Sequence, residues 1–301
     1  MRAARFHRYG GPEVLTVEDA PEPHAGPGSV RIRVRAASVN PIDRLVRAGA
    51  LAEVLPLELP VIPGRDAAGV VDEVGPDVRG VSAGDLVFGL GGIADTTAEF
   101  AVLTAWAAVP PTWSVEEAAA AGLGSVTALR ALAPFGDLRG RTLLVDGASG
   151  AVGTAAAAAA LHAGATVIGT AREANHEPLR AAGVVPTTYG PGLPERVRAL
   201  APQGVDAALH AAASDALPDL VDLVGGDPTR VVTVIDREGA ARLGTHLVDA
   251  ANDSSVLAAA AELGRDGHYR PRVAHVLPLD DIAKAHELAA GSSGKVVVTV
   301  P

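Results

Sequence analysis

LLVDGASGAVGTAAAAA, residues 143–159, is the stretch whose reading decides the fold. An apolar strand runs into glycines at Gly147, Gly150 and Gly153 and then into a helix of small residues. Glycine permits a tight turn and a close approach of backbone to a pyrophosphate, which then rests on the unpaired N–H groups opening the helix. A glycine triplet alone is weak evidence, because such a turn can serve only to pack helix on sheet. Its place between a strand and a helix inside a β-turn-α-β unit makes dinucleotide binding the stronger reading.

Outward from that turn, strands and helices alternate. ATVIGT (165–170) is followed by a helix at EPLRAAG (177–183) and another at LPERVRAL (193–200), then the strand GVDAALH (204–210), the helix ALPDLVDLVG (216–225) and the strand RVVTVI (230–235). Apolar strands alternating with helices predict a doubly wound parallel sheet. Dinucleotide sites select their cofactor about 20 residues past the glycines, by an acidic side chain for a 2′-hydroxyl or an arginine for a 2′-phosphate. ATVIGT ends at Thr170, expected at the cofactor site, and Arg172 follows it, which favours NADP(H); Glu173 stands beside it, and an arginine opening a solvated helix is the alternative.

The amino-terminal third reads differently. SVRIRVRAASV (29–39), AAGVVDEVG (67–75), DLVFGL (85–90) and AEFAVL (98–103) are short strands punctuated by Gly and Pro, and RIRVR places Ile32 and Val34 on one face. An antiparallel, barrel-like β domain fits them. A helix over 115–132 marks a change of texture, so residues 1–114 and 265–301 are expected to form the β domain and 115–264 the nucleotide domain.

Composition narrows the chemistry. The 301 residues contain no cysteine, which removes disulfides, thiol catalysis and thiolate zinc sites. A net charge of −10 opposes attraction to nucleic acid or anionic membranes, and nine aromatic residues leave few stacking platforms for bases. The charge-free run Gly147–Ala171 has the length of a membrane span, but its five glycines and single leucine suit a buried β-turn-α-β segment better. No signal-peptide pattern opens the chain, so a cytoplasmic location is expected. GASGA (147–151) lacks the last glycine of a nucleophile elbow, HEPLR (176–180) lacks the second histidine of a zinc-protease motif, and the histidines form no metal-spaced cluster.

AASVNPIDRLVRAG (36–49), PVIPGRDAAGVVDEVGPDV (60–78), GDLVFG (84–89), AEFAVL, SVTALRAL, DGASGAVGT and the closing GKVVVTV occur in an order that resembles the zinc-free quinone oxidoreductases, a zeta-crystallin-like branch of the medium-chain dehydrogenase/reductase superfamily. The resemblance covers nearly the whole chain. It implies a GroES-like β-barrel domain, a Rossmann domain, an active site in the cleft between them and a homodimer formed through the Rossmann domains. The stretch after RVVTVI, where dimer-edge strands often lie, is shorter here than in many relatives. Zinc-dependent relatives place a cysteine near Ser38 and a histidine where this chain has Gly64-Arg65-Asp66; both are missing.

The resemblance also implies roles. Asn40 is expected near the nicotinamide, with Asp43 one turn on helping to shape the catalytic site, although Asn-Pro-x-Asp also caps helices well. Thr127 matches a position facing the nicotinamide ribose, and Ser149, Gly150, Ala151 and Val152 match the pyrophosphate turn. Tyr189 lies where relatives cover the adenine, one position early. Many relatives carry a cleft-facing tyrosine at the position of Leu45. The implied activity is NADPH-dependent, metal-free hydride transfer to a small electrophilic acceptor, a quinone or an α,β-unsaturated carbonyl. An enoyl-thioester reductase and a non-catalytic NADPH-binding protein are the alternatives.

Overall fold

A computed structural model describes all 301 residues. In chain order the elements are β1 (Arg2–Phe6), β2 (Leu15–Asp19), β3 (Val30–Val39), α1 (Pro41–Ala48), β4 (Asp66–Val74), β5 (Leu86–Leu90), β6 (Phe100–Leu103), β7 (Ala105–Ala108) and α2 (Val115–Leu132). They continue with β8 (Thr142–Asp146), α3 (Ala151–His162), β9 (Thr166–Thr170), α4 (His176–Ala181), β10 (Val185–Thr187), α5 (Leu193–Leu200), β11 (Ala207–His210), α6 (Leu217–Leu223) and β12 (Val231–Thr233). The last are α7 (Arg237–Leu243), β13 (His246–Leu247), α8 (Ser254–Arg265), β14 (Val273–Pro278), α9 (Ile282–Leu288) and β15 (Lys295–Thr299). The chain divides into two compact units, Met1–Leu123 with Asn252–Arg265 and Arg270–Pro301, and Gly124–Ala251 with Asp266–Tyr269.

In the first unit β3 is central. Ile32 and Val34 are wholly buried while Arg33 and Arg35 face solvent, the alternation that RIRVR predicts. β3 pairs antiparallel with β4, β6 and β15, and the sheet runs β14-β15-β3-β4-β5-β7. Phe6, Leu103 and Val298 fill its core beside Ile32 and Val34. Helix α1 begins with Pro41 in its first turn and stops at Gly49, whose φ of 78° closes the helix in the left-handed region.

The second unit is a six-stranded, wholly parallel sheet in the order β10-β9-β8-β11-β12-β13. This is the doubly wound Rossmann order, with its direction of strand succession reversing between β8 and β11. The β8 residues Leu143, Leu144 and Val145 are fully buried, as expected of a strand covered on both faces.

The units divide elsewhere than the expected boundaries of 114 and 265. Residues 115–123 of α2 and all of α8 belong to the first unit. Helix α8 packs on β7, where the Trp106 N–H donates to Ser254 Oγ at 3.0 Å and Thr112 Oγ1 donates to the Gly264 carbonyl at 2.8 Å. An alanine-rich amphipathic helix carries no local mark of which sheet it covers, so texture alone assigned it to the wrong unit.

His286 of α9 is buried, and its Nδ1 lies 3.2 Å from Nη1 of Arg47 on α1. Burial first, then the Arg47 and Arg44 guanidinium groups, push the imidazole down to about 3. Because the folded value lies below the unfolded one, the unfolded chain binds the extra proton between pH 6.5 and about 3. The neutral imidazole's contribution is thus present above pH 6.5 and lost as pH falls. His286→Gln is expected to flatten the pH dependence of unfolding free energy between pH 6.5 and 5 by up to about 1.4 kcal/mol per pH unit, read by urea denaturation of both proteins.

Candidate functional site

In the second unit the glycine turn joins β8 to α3 at the carboxyl edge of the sheet. Gly147 has φ 86°, a left-handed conformation that glycine adopts without strain. A Cβ on Gly153 would lie 2.2 Å from the Gly147 carbonyl oxygen, so packing excludes a side chain there. Gly150 is different: its φ of −79° suits any residue, and a Cβ would meet only the Gly147 carbonyl oxygen, at 3.4 Å. The fold does not require glycine at 150, whereas a phosphate approaching the backbone would. The first α3 hydrogen bond runs from Thr154 N–H to the Gly150 carbonyl, which leaves the Ala151, Val152 and Gly153 amides without an intrahelical acceptor. That donor set fits a dinucleotide pyrophosphate.

Beneath the turn runs a polar row that the sequence did not announce. Thr187, Thr170, Asp146, His210 and Thr233 end five adjacent strands, β10, β9, β8, β11 and β12, and all are buried. Thr170 Oγ1 donates to Asp146 Oδ1 at 2.5 Å and accepts from the Gly147 N–H at 2.9 Å. Ser214 Oγ donates to Asp146 Oδ2 at 2.7 Å. His210 Nε2 lies 3.2 Å from the Ser214 carbonyl oxygen, which can only accept, so Nε2 carries the proton. Asp146 thus ties the glycine turn to the loop after β11 across the strand-order reversal. Thr170, expected to bind cofactor, spends its hydroxyl on this brace.

Arg172 and Tyr189 each lie two residues beyond the paired Thr170 and Thr187, so both emerge from the same sheet edge; both are exposed. Arg196 holds the Tyr189 loop, donating to the carbonyls of Thr188, Tyr189 and Gly190 at 3.0–3.4 Å. Ser149 Oγ accepts a 3.4 Å contact from Asn175 Nδ2. Thr127 lies buried on α2 within this unit.

The first unit gathers Ser38, Asn40, Asp43, Asp66 and Lys295, all buried. Strand register builds the group. Ala37 pairs with Ala67 and Val296 with Val39, so one step further Ser38 faces Asp66 and Asn40 faces Lys295. Asp66 Oδ1 accepts from Ser38 Oγ at 2.6 Å and Asn40 Nδ2 at 2.8 Å, and Oδ2 accepts from the Leu123 N–H at 2.8 Å. Lys295 Nζ donates to Ser38 Oγ at 3.0 Å and to Asn40 Oδ1. Asp43 Oδ2 caps α1 by accepting from the Asn40 N–H at 2.7 Å, while its buried Oδ1 has no partner. Burial, then the Asp66 charge, push the Asp43 carboxyl up to about 7 against the opposing pull of the Asn40 N–H and Lys295. Asn40 and Asp43 therefore do come together. Asp66 and Lys295 were visible only as motif residues, since nothing in their local sequence sets them beside Asn40. Leu45 is 45% exposed on α1.

Family models match in both halves of the chain, an alcohol dehydrogenase GroES-like domain over residues 26–110 and a zinc-binding dehydrogenase over residues 192–298. The quinone oxidoreductase of Lama guanicoe is 30% identical over 99% of this chain and 97% of its own length. A spectinabilin polyketide synthase system protein of Streptomyces orinoci is 41% identical over 56% of this chain and 8% of its own length, and the mouse quinone oxidoreductase 38% identical over 57% and 52%. The chain thus spans a small part of the polyketide synthase protein and about half of the rodent enzyme in those alignments. The solved quinone oxidoreductase of Coxiella burnetii superposes with a TM-score of 0.86 at 28% identity, covering 100% of this chain and 99% of its own. A structure described as an NAD-dependent alcohol dehydrogenase superposes equally well, at 29% identity over 100% of both chains. Zinc does not fit the residues present: no three His, Cys, Asp or Glu side chains are grouped to hold a metal, and the Lys295 ammonium lies against Ser38 and Asn40.

The glycines separate packing from binding. Gly153→Ala is expected to lower the melting temperature by several degrees, whereas Gly150→Ala is expected to melt as the wild type yet bind nicotinamide dinucleotides at least ~10-fold more weakly. Thermal denaturation and fluorescence titration of both variants check the pair.

Proposed function

This chain belongs to the quinone oxidoreductase branch of the medium-chain dehydrogenase/reductase superfamily, and on that premise we propose that it is an NADPH-dependent reductase of quinones or α,β-unsaturated carbonyls. The observation that carries the reading is the open backbone face at Gly150, with the unpaired amides of Ala151, Val152 and Gly153 at the strand-order reversal. In this proposal Gly147, Ser149, Gly150, Ala151, Val152 and Gly153 hold the pyrophosphate. Arg172 takes the 2′-phosphate, Tyr189 covers the adenine and Thr127 faces the nicotinamide ribose. When bound, the cofactor supplies hydride.

The chain's own part is binding, orientation and electrostatics. Asn40 contributes as a fixed dipole, because both ends of its carboxamide are held. Its second Nδ2 proton has only a 3.5 Å contact with Ser38 Oγ, so that proton is the donor least engaged within the cluster. Asp43 holds a proton near neutral pH where no phenol is available from position 45. Without a metal, developing negative charge on the acceptor is met by such donors and by backbone N–H groups.

An enoyl-thioester reductase is the second reading, favoured by the 41% identity to a polyketide synthase protein. Cofactor oxidation measured over quinones, enones and enoyl thioesters, with NADPH and NADH in parallel, separates the two and exposes a non-catalytic binder as one that oxidises neither cofactor. NADPH turnover on quinones or enones is the expected result. Arg172→Ala is expected to weaken NADPH binding by ~10-fold or more while leaving NADH nearly unaffected, since only the 2′-phosphate offers the guanidinium a charge. Equal loss for both cofactors removes Arg172 from the site.

A further inference from the structure

Lys295 is one of only two lysines in the chain and the one that is buried. Its ammonium can only donate, and the Asp66 carboxylate across the cluster can only accept. Asn40 sits between them with Oδ1 toward Lys295 and Nδ2 toward Asp66, and a flipped carboxamide would set donor against donor and acceptor against acceptor. Ser38 repeats the relay, accepting from Lys295 and donating to Asp66. One cation and one carboxylate thereby balance through two bridging groups. Asp43 is the second buried carboxylate on the same cluster; the Asn40 N–H answers its Oδ2, but its Oδ1 has no partner and no second cation stands on the cluster.

We propose that Lys295 is a positioning residue of this site, its ammonium fixing the direction of the Asn40 carboxamide and balancing the buried Asp66 carboxylate beside the unpartnered Oδ1 of Asp43. The charged groups acting on Asp43 are Asp66 from β4 and Lys295 from β15. Removing the ammonium leaves only the repulsive one. Asp43 then keeps its proton to higher pH, and the carboxamide loses the contact that orients it. The cluster's structure is independent of the reductase reading; only the turnover arm of the test rests on it.

The test uses the full chain. A protonated carboxyl has an infrared C=O stretch distinct from that of a carboxylate, and Asp43→Asn identifies the Asp43 band by difference. The wild-type band is expected to titrate with a midpoint near 7. In Lys295→Met the midpoint is expected to rise by about one pH unit or more. Lys295→Arg is expected to restore it. Should Lys295→Met not fold, Lys295→Gln removes the charge while keeping a polar head, and Asp66→Asn is expected to move the midpoint down.

With an active acceptor, the pH profile of kcat is expected to shift with the infrared midpoint, and NADPH affinity to stay within about twofold because the nucleotide turn is untouched. An unmoved band in both Lys295 charge-removal variants overturns the proposal, as does a kcat profile that ignores the band. Absence of turnover in the wild type defeats the reductase reading alone, and the infrared arm then decides the role of Lys295 by itself.

Discussion

The antiparallel register of β4 and β15 on β3 is the constraint on which the first unit's chemistry depends. Because Ala37 pairs with Ala67 and Val296 with Val39, the next residues in each strand meet as Ser38 against Asp66 and Asn40 against Lys295. A slip of one residue would turn each of these side chains to the opposite face. The β3–β4 ladder shifts register between Val34 and Ala36, so the pairing that sets the polar group begins past an irregularity that separates it from the buried Ile32 and Val34. Burial makes the group sensitive to charge: a lone carboxylate is costly there, and Asp43 responds by holding its proton.

The second unit solves a different problem with the same means. A glycine turn that is open to a phosphate has few side chains of its own to hold it in place. Asp146 supplies the support from below, joining Thr170, which holds the Gly147 amide, to Ser214 in the loop after β11. Every polar member of the row at the strand ends is buried, so each needs its partner to avoid an unmet hydrogen bond. The turn is held through the Gly147 amide by side chains that are themselves paired.

Periodicity and motif context made most of the architecture legible. The helices at 115–132 and 193–200 have the predicted bounds, and the alternating strands became a parallel sheet. RVVTVI and GVDAALH are longer than the strands they form, Val231–Thr233 and Ala207–His210; Ile235 lies beyond the sheet and is 47% exposed. Helix α8 went to the other unit because its apolar stripe suits either sheet. Within the site, glycines and the Asn-Pro-x-Asp pattern were readable since each depends on neighbours in sequence. Thr170 was readable as a position but not as a brace, because its partner Asp146 is 24 residues away.

By itself, then, the amino-acid sequence determined the two fold types, the glycine turn between β8 and α3 and the absence of any thiol, all of which follow from local residue chemistry and short-range period. Only the tertiary structure decided that Lys295, 255 residues from Asn40, would be its hydrogen-bond donor, and that Asp43 would keep one oxygen without a partner. The physical reason is that local pattern specifies which face of an element is buried, whereas the identity of the group across from it is set by strand pairing between distant segments. Charge state follows from that pairing, because a carboxyl's ionisation depends on which charges and donors lie within a few ångströms and on how little water does.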